Sequence, residues 1–163
     1  MRPPVDDPVS HSLSMRFPKA VHRLRVLEAA GALTVAGLLL RILPFGMVMK
    51  LVGSGAARAG ENMVSQPTTD PVAAAVGRAV NSAAARLPWR SRCLIRALAG
   101  RAMLMRRGVP STLVLGVTKK MEELQAHAWL VAGGGAVCGR REAARFQPIA
   151  AFREQGPRSL RTD

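Results

Sequence analysis

The pattern of apolar residues changes its period at Gly108 and Pro110, and this change constrains the fold more than any other feature of the chain. Before it, apolar positions recur every three or four residues, as on one face of a helix. The last such run is Leu94, Ile95, Leu98, Ala102 and Met105, with Ser91 in place to cap its start and Gly108 suited to the left-handed residue that closes it. After Pro110 the chain turns β-branched and Leu-rich over Thr112 to Val117 and again over Ala126 to Val131. The charged segment Lys119 to Glu123 reads as the turn between these two strands. Gly133, Gly134 and Gly135 end the second, and Ala136 to Cys138 form a short third. Phe146, Ile149 and Phe152 are expected to anchor the tail. Helices followed by a small antiparallel sheet make an α+β fold.

Upstream, residues 1–18 are rich in Pro, Ser and charge and read as an arm without regular structure. Lys19 to Leu51 is helical in pattern, interrupted at Pro44. Its apolar run Ala29–Leu40, bracketed by Glu28 and Arg41, is far short of the roughly 20 residues a membrane span needs. A buried helical hairpin is the expectation. An interfacial helix, with Arg23, Arg25, Arg41 and Lys50 at anionic headgroups, is the alternative and would give a peripheral membrane contact. Gly53 to Thr69 reads as a linker. Asp70-Pro71 then caps and starts a helix through Val72, Val76, Val80 and Ala84, which Pro88 stops. The expected organisation is an arm at 1–18, a hydrophobic helical region with linker at 19–69, a core domain at 70–155 and a polar tail at 156–163.

A chain of 163 residues with 48% hydrophobic content can bury a core of its own. Tyr is absent and aromatics are 4%, so that core is aliphatic and base stacking is a poor reading. The net charge of +14 comes mainly from Arg and suits an anionic partner, whether nucleic acid, acidic lipid or acidic peptide, or simply a well-solvated surface. Two cysteines are too few for a disulfide scaffold and no signal peptide opens the chain, so a reducing cytoplasm is expected.

Cys93 falls in the first turn of the helix capped by Ser91, where unpaired amides and the helix dipole favour its thiolate and would also face an oxyanion. Arg90 and Arg92 add positive potential. His127 lies in Gln125-Ala126-His127-Ala128-Trp129, where strand alternation puts it on the same face as Trp129. A Cys nucleophile needs a base within hydrogen-bond reach, and a helix start packed beside a sheet is one way to supply it. No closely spaced Cys or His pair suggests a metal, and Gly133-Gly134-Gly135 lacks the Lys and Ser/Thr of a phosphate loop. No cofactor is expected.

Arg92-Cys93-Leu94 opening a helix, Arg106-Arg107-Gly108-Val109-Pro110 closing it, a Val-Leu-Gly-Val strand and Ala126-His127-Ala128-Trp129 occur here in order. With the tail Ala144-Arg145-Phe146-Gln147-Pro148-Ile149 and the upstream Leu43-Pro44-Phe45, this set resembles the lasso-peptide biosynthesis B2 proteins, the transglutaminase-like leader peptidases. The likeness spans most of Leu27 to Phe152. It implies a papain-like core with Cys93 as nucleophile and His127 as base, beside which Arg92, through its positive charge near an oxyanion, and Trp129, by shielding the imidazole, are expected to line the site. It also implies a lasso precursor peptide as substrate, a separate leader-recognition protein, and an ATP-dependent macrocyclase as the route of any nucleotide requirement. Such triads usually carry an Asp on the strand after the His, but Ala136 to Arg140 holds no acid, so Glu142 is the candidate third member. Two other readings remain open: a basic protein that binds nucleic acid or a membrane surface without catalysis, and an acyltransferase using the same Cys/His pair.

Overall fold

The computed structural model describes residues 19–52, 56–57, 66–87, 93–120 and 123–153. The expected arm at 1–18, the cap Ser91, Arg90 and Arg92, and the tail at 156–163 lie outside the described residues. The elements run α1 (Lys19–Ile42), α2 (Phe45–Val52), β1 (Ala56–Ala57), α3 (Pro71–Ala84), α4 (Cys93–Met105), β2 (Thr112–Lys120), β3 (Glu123–Ala132), β4 (Gly135–Cys138), α5 (Arg140–Ala143) and β5 (Gln147–Arg153). Helices followed by a small antiparallel sheet confirm the α+β class.

Local chemistry accounts for the helix boundaries. The Asp70 carboxylate accepts from the Val72 and Ala73 amides at 2.8 Å each, and Pro71 occupies the first helical position of α3. Both satisfy or dispense with amides that would otherwise lack a partner. Gly108, at φ +65°, closes the end of α4, where Val109 N–H reaches back to the Leu104 carbonyl at 3.1 Å.

The sheet has the order β1-β5-β2-β3-β4, with these strands paired antiparallel and a single parallel bridge from Pro67 to Ala136 at its edge. Alternation along the strands separates two faces. Ala128, Leu130 and Ala132 join Leu113 under the helices, where Val76 and Val80 of α3 and Met103 and Leu104 of α4 complete an aliphatic core. Trp129 and Val131 face the other way, against Val114, Ala143, Ala151 and Phe146. A close approach sets the helix layer on the sheet: a Cβ at Gly77 would collide with the Val137 carbonyl, so α3 lies directly on β4.

Three expectations need correction. The N-terminal region is not a buried hairpin. Helix α1 packs Ala29, Leu33 and Ala36 against α3 and α4, but Leu24, Leu27, Val35, Leu38 and Ile42 on its other side are exposed. Its apolar run encircles the helix, whereas the described residues cover one side only. The tail is not merely anchored by aromatic residues: Gln147–Arg153 forms β5 between β1 and β2, and Ile149 is exposed. Pro148, which has no ladder donor, sits at the register shift between Leu115 and Gly116. Finally, the expected linker joins the sheet. Ala56–Ala57 pairs with β5, and Gln66 and Thr68 exchange main-chain hydrogen bonds with Ala136.

Helix α1 is held to the end of α4 by ion pairs from Glu28 to two arginines. Arg107 meets the Glu28 carboxylate through both guanidinium nitrogens, at 3.1 and 2.5 Å, and Arg106 approaches it at 3.2 Å. Hydrogen bonding from Arg107 is the main cause holding the Glu28 carboxyl below its ordinary range. No helix among the described residues is long and apolar enough to cross a membrane.

Loss of the α3 cap in Asp70→Ala is expected to cost about 1 kcal/mol. Gly77→Ala, which must push α3 off the Val137 carbonyl, should cost more, about 1–3 kcal/mol. Urea unfolding midpoints of the two variants check both the sign and the order.

Candidate active site

Cys93 is the first residue of α4 and His127 lies midway along β3, 34 positions later in the chain. The fold brings them together because α4 rests on the face of Ala128 and Leu130 and its first turn reaches the outer edge of β3. The His127 ring and the backbone amides of Ala128 and Leu94 all act on the Cys93 sulfur, each favouring its thiolate. Half-burial by itself pushes the thiol pKa up. The His127 hydrogen bond, the two amides and the attraction of the imidazolium outweigh it and hold the thiol below its ordinary value.

Burial likewise pulls the His127 pKa down, and the hydrogen bonds to Cys93 and Gly139 outweigh that pull, raising it above the usual imidazole value. One shift stabilises a thiolate and the other an imidazolium, so the two favour the same proton position, with charge on both partners. The ring is nearly parallel to Phe146 and Trp129, with centroids 5.0 and 6.0 Å away. Its side chain is only 10% exposed. Trp129 is fully buried, and Gly116 leaves it room: a Cβ there would come within 2.8 Å of the indole ring.

The group that orients the imidazole is a main-chain carbonyl. His127 Nε2 lies 3.0 Å from the Gly139 oxygen, which can only accept, so Nε2 carries a proton and Nδ1 is left to exchange one with sulfur. Glu142, the candidate third member from the sequence, has its nearest oxygen 4.0 Å from the same Nε2, beyond hydrogen-bond reach, and is 59% exposed. It adds attraction for the imidazolium without a direct bond.

Gly139 is therefore a site residue that the sequence reading missed. Its φ of +79° turns the chain out of β4, and a Cβ there would sit 2.9 Å from both the Ala128 oxygen and the Trp129 Cβ. The only signal in the sequence was a Gly between a strand and a short helical run. Phe146 was read as a tail anchor and lies instead against the imidazole. Arg92, expected to line the site, is outside the described residues.

The second cysteine behaves oppositely. Cys138 is fully buried, and burial pushes its thiol up to about 12, where no thiolate forms near neutrality. Among the described residues no group of three His, Cys, Asp or Glu side chains could hold a metal ion. A cavity of about 510 Å³ between α1 and α4 is lined by residues such as Val35, Leu39, Leu98 and Met105; neither Cys93 nor His127 contributes to it.

Iodoacetamide at about pH 7 should therefore modify Cys93 and spare Cys138, read by mass spectrometry of peptides. Gly139→Ala should slow modification of Cys93 by about tenfold or more, because its Cβ clashes with Ala128 and Trp129 and displaces the carbonyl that positions the imidazole. Circular dichroism establishes that this variant remains folded.

A thiolate and imidazolium at the head of a helix can carry out acyl chemistry, with attack on a carbonyl followed by hydrolysis or transfer. No curated protein and no solved structure matches the chain significantly. A family model of the transglutaminase-like superfamily, whose members are generally cysteine hydrolases or transferases, matches residues 39–151. That match takes in Cys93, His127 and Gly139 together with most of the sheet, and the chain belongs to the transglutaminase-like superfamily.

Proposed function

We propose that this protein is a cysteine peptidase that removes the leader from a lasso-peptide precursor. The observation that carries the reading is the juxtaposition of Cys93 and His127 at the head of α4, each holding the other in its charged form, within a superfamily that uses a cysteine for acyl chemistry. The ordered motifs around these residues, and their likeness to the lasso-peptide B2 proteins, support the substrate class.

The Cys93 thiolate attacks the carbonyl that joins leader to core, and the resulting oxyanion faces the amides of the first turn of α4. His127 Nδ1–H passes its proton to the departing amine, which is the new N-terminus of the core peptide. The leader remains as a thioester on Cys93. Water, deprotonated by His127, then hydrolyses the thioester, releasing the leader as a free acid and restoring the thiol. The Gly139 carbonyl accepts from Nε2 and so leaves Nδ1 as the nitrogen that exchanges the proton.

The chemistry needs no cofactor from this chain. The freed amine goes on to an ATP-dependent macrocyclase, which is where nucleotide enters. A separate leader-recognition protein presents the precursor and raises the local concentration of the scissile bond. One feature supports that partner: α1 carries an apolar stripe that no described residue covers. The free cysteines agree with work in a reducing cytoplasm.

Precursor, leader-recognition protein and this chain, incubated together, should yield free leader and core with masses that sum to the precursor plus one water. Cys93→Ala should abolish the products, and His127→Ala should slow them by about a thousandfold or more. Unchanged cleavage by Cys93→Ala refutes the assignment. A leader carrying an added amine in place of water would instead identify an acyltransferase.

A further inference from the structure

Strand β4 pairs with β3 only as far as Leu130. From Trp129 back to Glu123, the outer edge of β3 has no strand partner among the described residues. Gly139 meets this edge at Ala128, where a Cβ on it would lie 2.9 Å from the Ala128 oxygen, and the Ala128 amide acts on the Cys93 sulfur from the same side. Beyond them Glu123, Leu124, Gln125 and Ala126 are all exposed.

The direction of the backbone groups follows from these contacts. A residue in a strand points its N–H and C=O to the same side, and its neighbours point theirs to the other. Ala128 faces the outer edge, so Ala126 and Leu124 do as well, while Gln125 and His127 face β2 opposite Thr118 and Gly116. Two main-chain donor and acceptor pairs are thus presented in a row that ends at the candidate nucleophile.

We propose that the peptide substrate adds to the sheet as a strand on this edge, pairing its main chain with Ala126 and Leu124 and so bringing a carbonyl to the Cys93 sulfur. The proposal rests on the peptidase reading and deepens it. At about 3.3 Å per residue, the step from Ala126 to Ala128 spans about 7 Å, so a peptide paired at Ala126 places its reacting carbonyl two residues further on. Main-chain pairing selects an extended segment whatever its side chains, and it excludes helical or compactly folded ones. The substrate is therefore an unfolded stretch of at least four residues with its amides free.

The test uses acetyl-tetraalanine chloromethyl ketone, whose chloride the Cys93 thiolate displaces to form a thioether, and a set of analogues each N-methylated at one amide. Chloroacetamide serves as the small thiol probe. Strand pairing predicts alternation: N-methylation should slow Cys93 alkylation by about tenfold at every second amide and leave the amides between unaffected. Equal rates across the set, or a uniform loss at every position, overturn the proposal while leaving the peptidase reading intact. Failure of chloroacetamide to label Cys93 removes the peptidase reading and this proposal with it.

Discussion

The first turn of α4 pressed against the free edge of β3 is the contact on which the rest of the site depends. It sets a half-buried sulfur among three donors: the His127 ring, the Ala128 amide and the Leu94 amide. None of these would act on a thiol elsewhere on the helix. Small residues allow the approach. Gly77 lets α3 touch β4, and Ala97 and Gly100 bring α4 down onto Leu130. At the far end the Glu28–Arg107 pair fixes α4 against α1. The helix is held at both ends, and its N-terminus is held by the chemistry it would perform.

Environment alone separates the two cysteines. Both are free thiols, yet Cys93 at the head of α4, where the His127 ring and two backbone amides outweigh partial burial, is drawn below the ordinary range, whereas Cys138, where full burial outweighs the Leu130 amide, is pushed to about 12. The imidazole shows the same logic. A carbonyl in place of the usual carboxylate fixes the tautomer and ring direction but supplies no full charge, and exposed Glu142 at 4.0 Å adds only a weak attraction. Packing against Phe146 and Trp129 holds the ring in place. Positioning is thus divided between one main-chain atom and two aromatic faces.

Much of this was legible in the sequence, and the parts that were not share a physical reason. Asp70-Pro71 and Gly108 mark helix ends through their own side chain or lack of one, and Thr112–Val117 and Ala126–Val131 carry strand composition, so α3, α4, β2 and β3 could be read. Gly139 could not, because a carbonyl leaves no trace in residue type. Strand β5 is short on β-branched residues and contains Pro148, and its place depends on β2 being there to pair with. The exposed side of α1 was invisible because an apolar run around the whole helix does not say which side has a neighbour. Cys93 and His127 each offered an ambiguous local signal; the order of the motifs linked them, and the fold supplied the contact.

The central claim is that the imidazole of His127 stabilises a thiolate at Cys93, and ultraviolet titration of thiolate absorbance measures it directly. The wild-type protein should show a Cys93 transition below the ordinary thiol range, absent in Cys93→Ala and displaced upward in His127→Ala, since burial then acts with only the backbone amides opposing it. A wild-type transition at or above the ordinary thiol value, unmoved by loss of His127, would contradict the account.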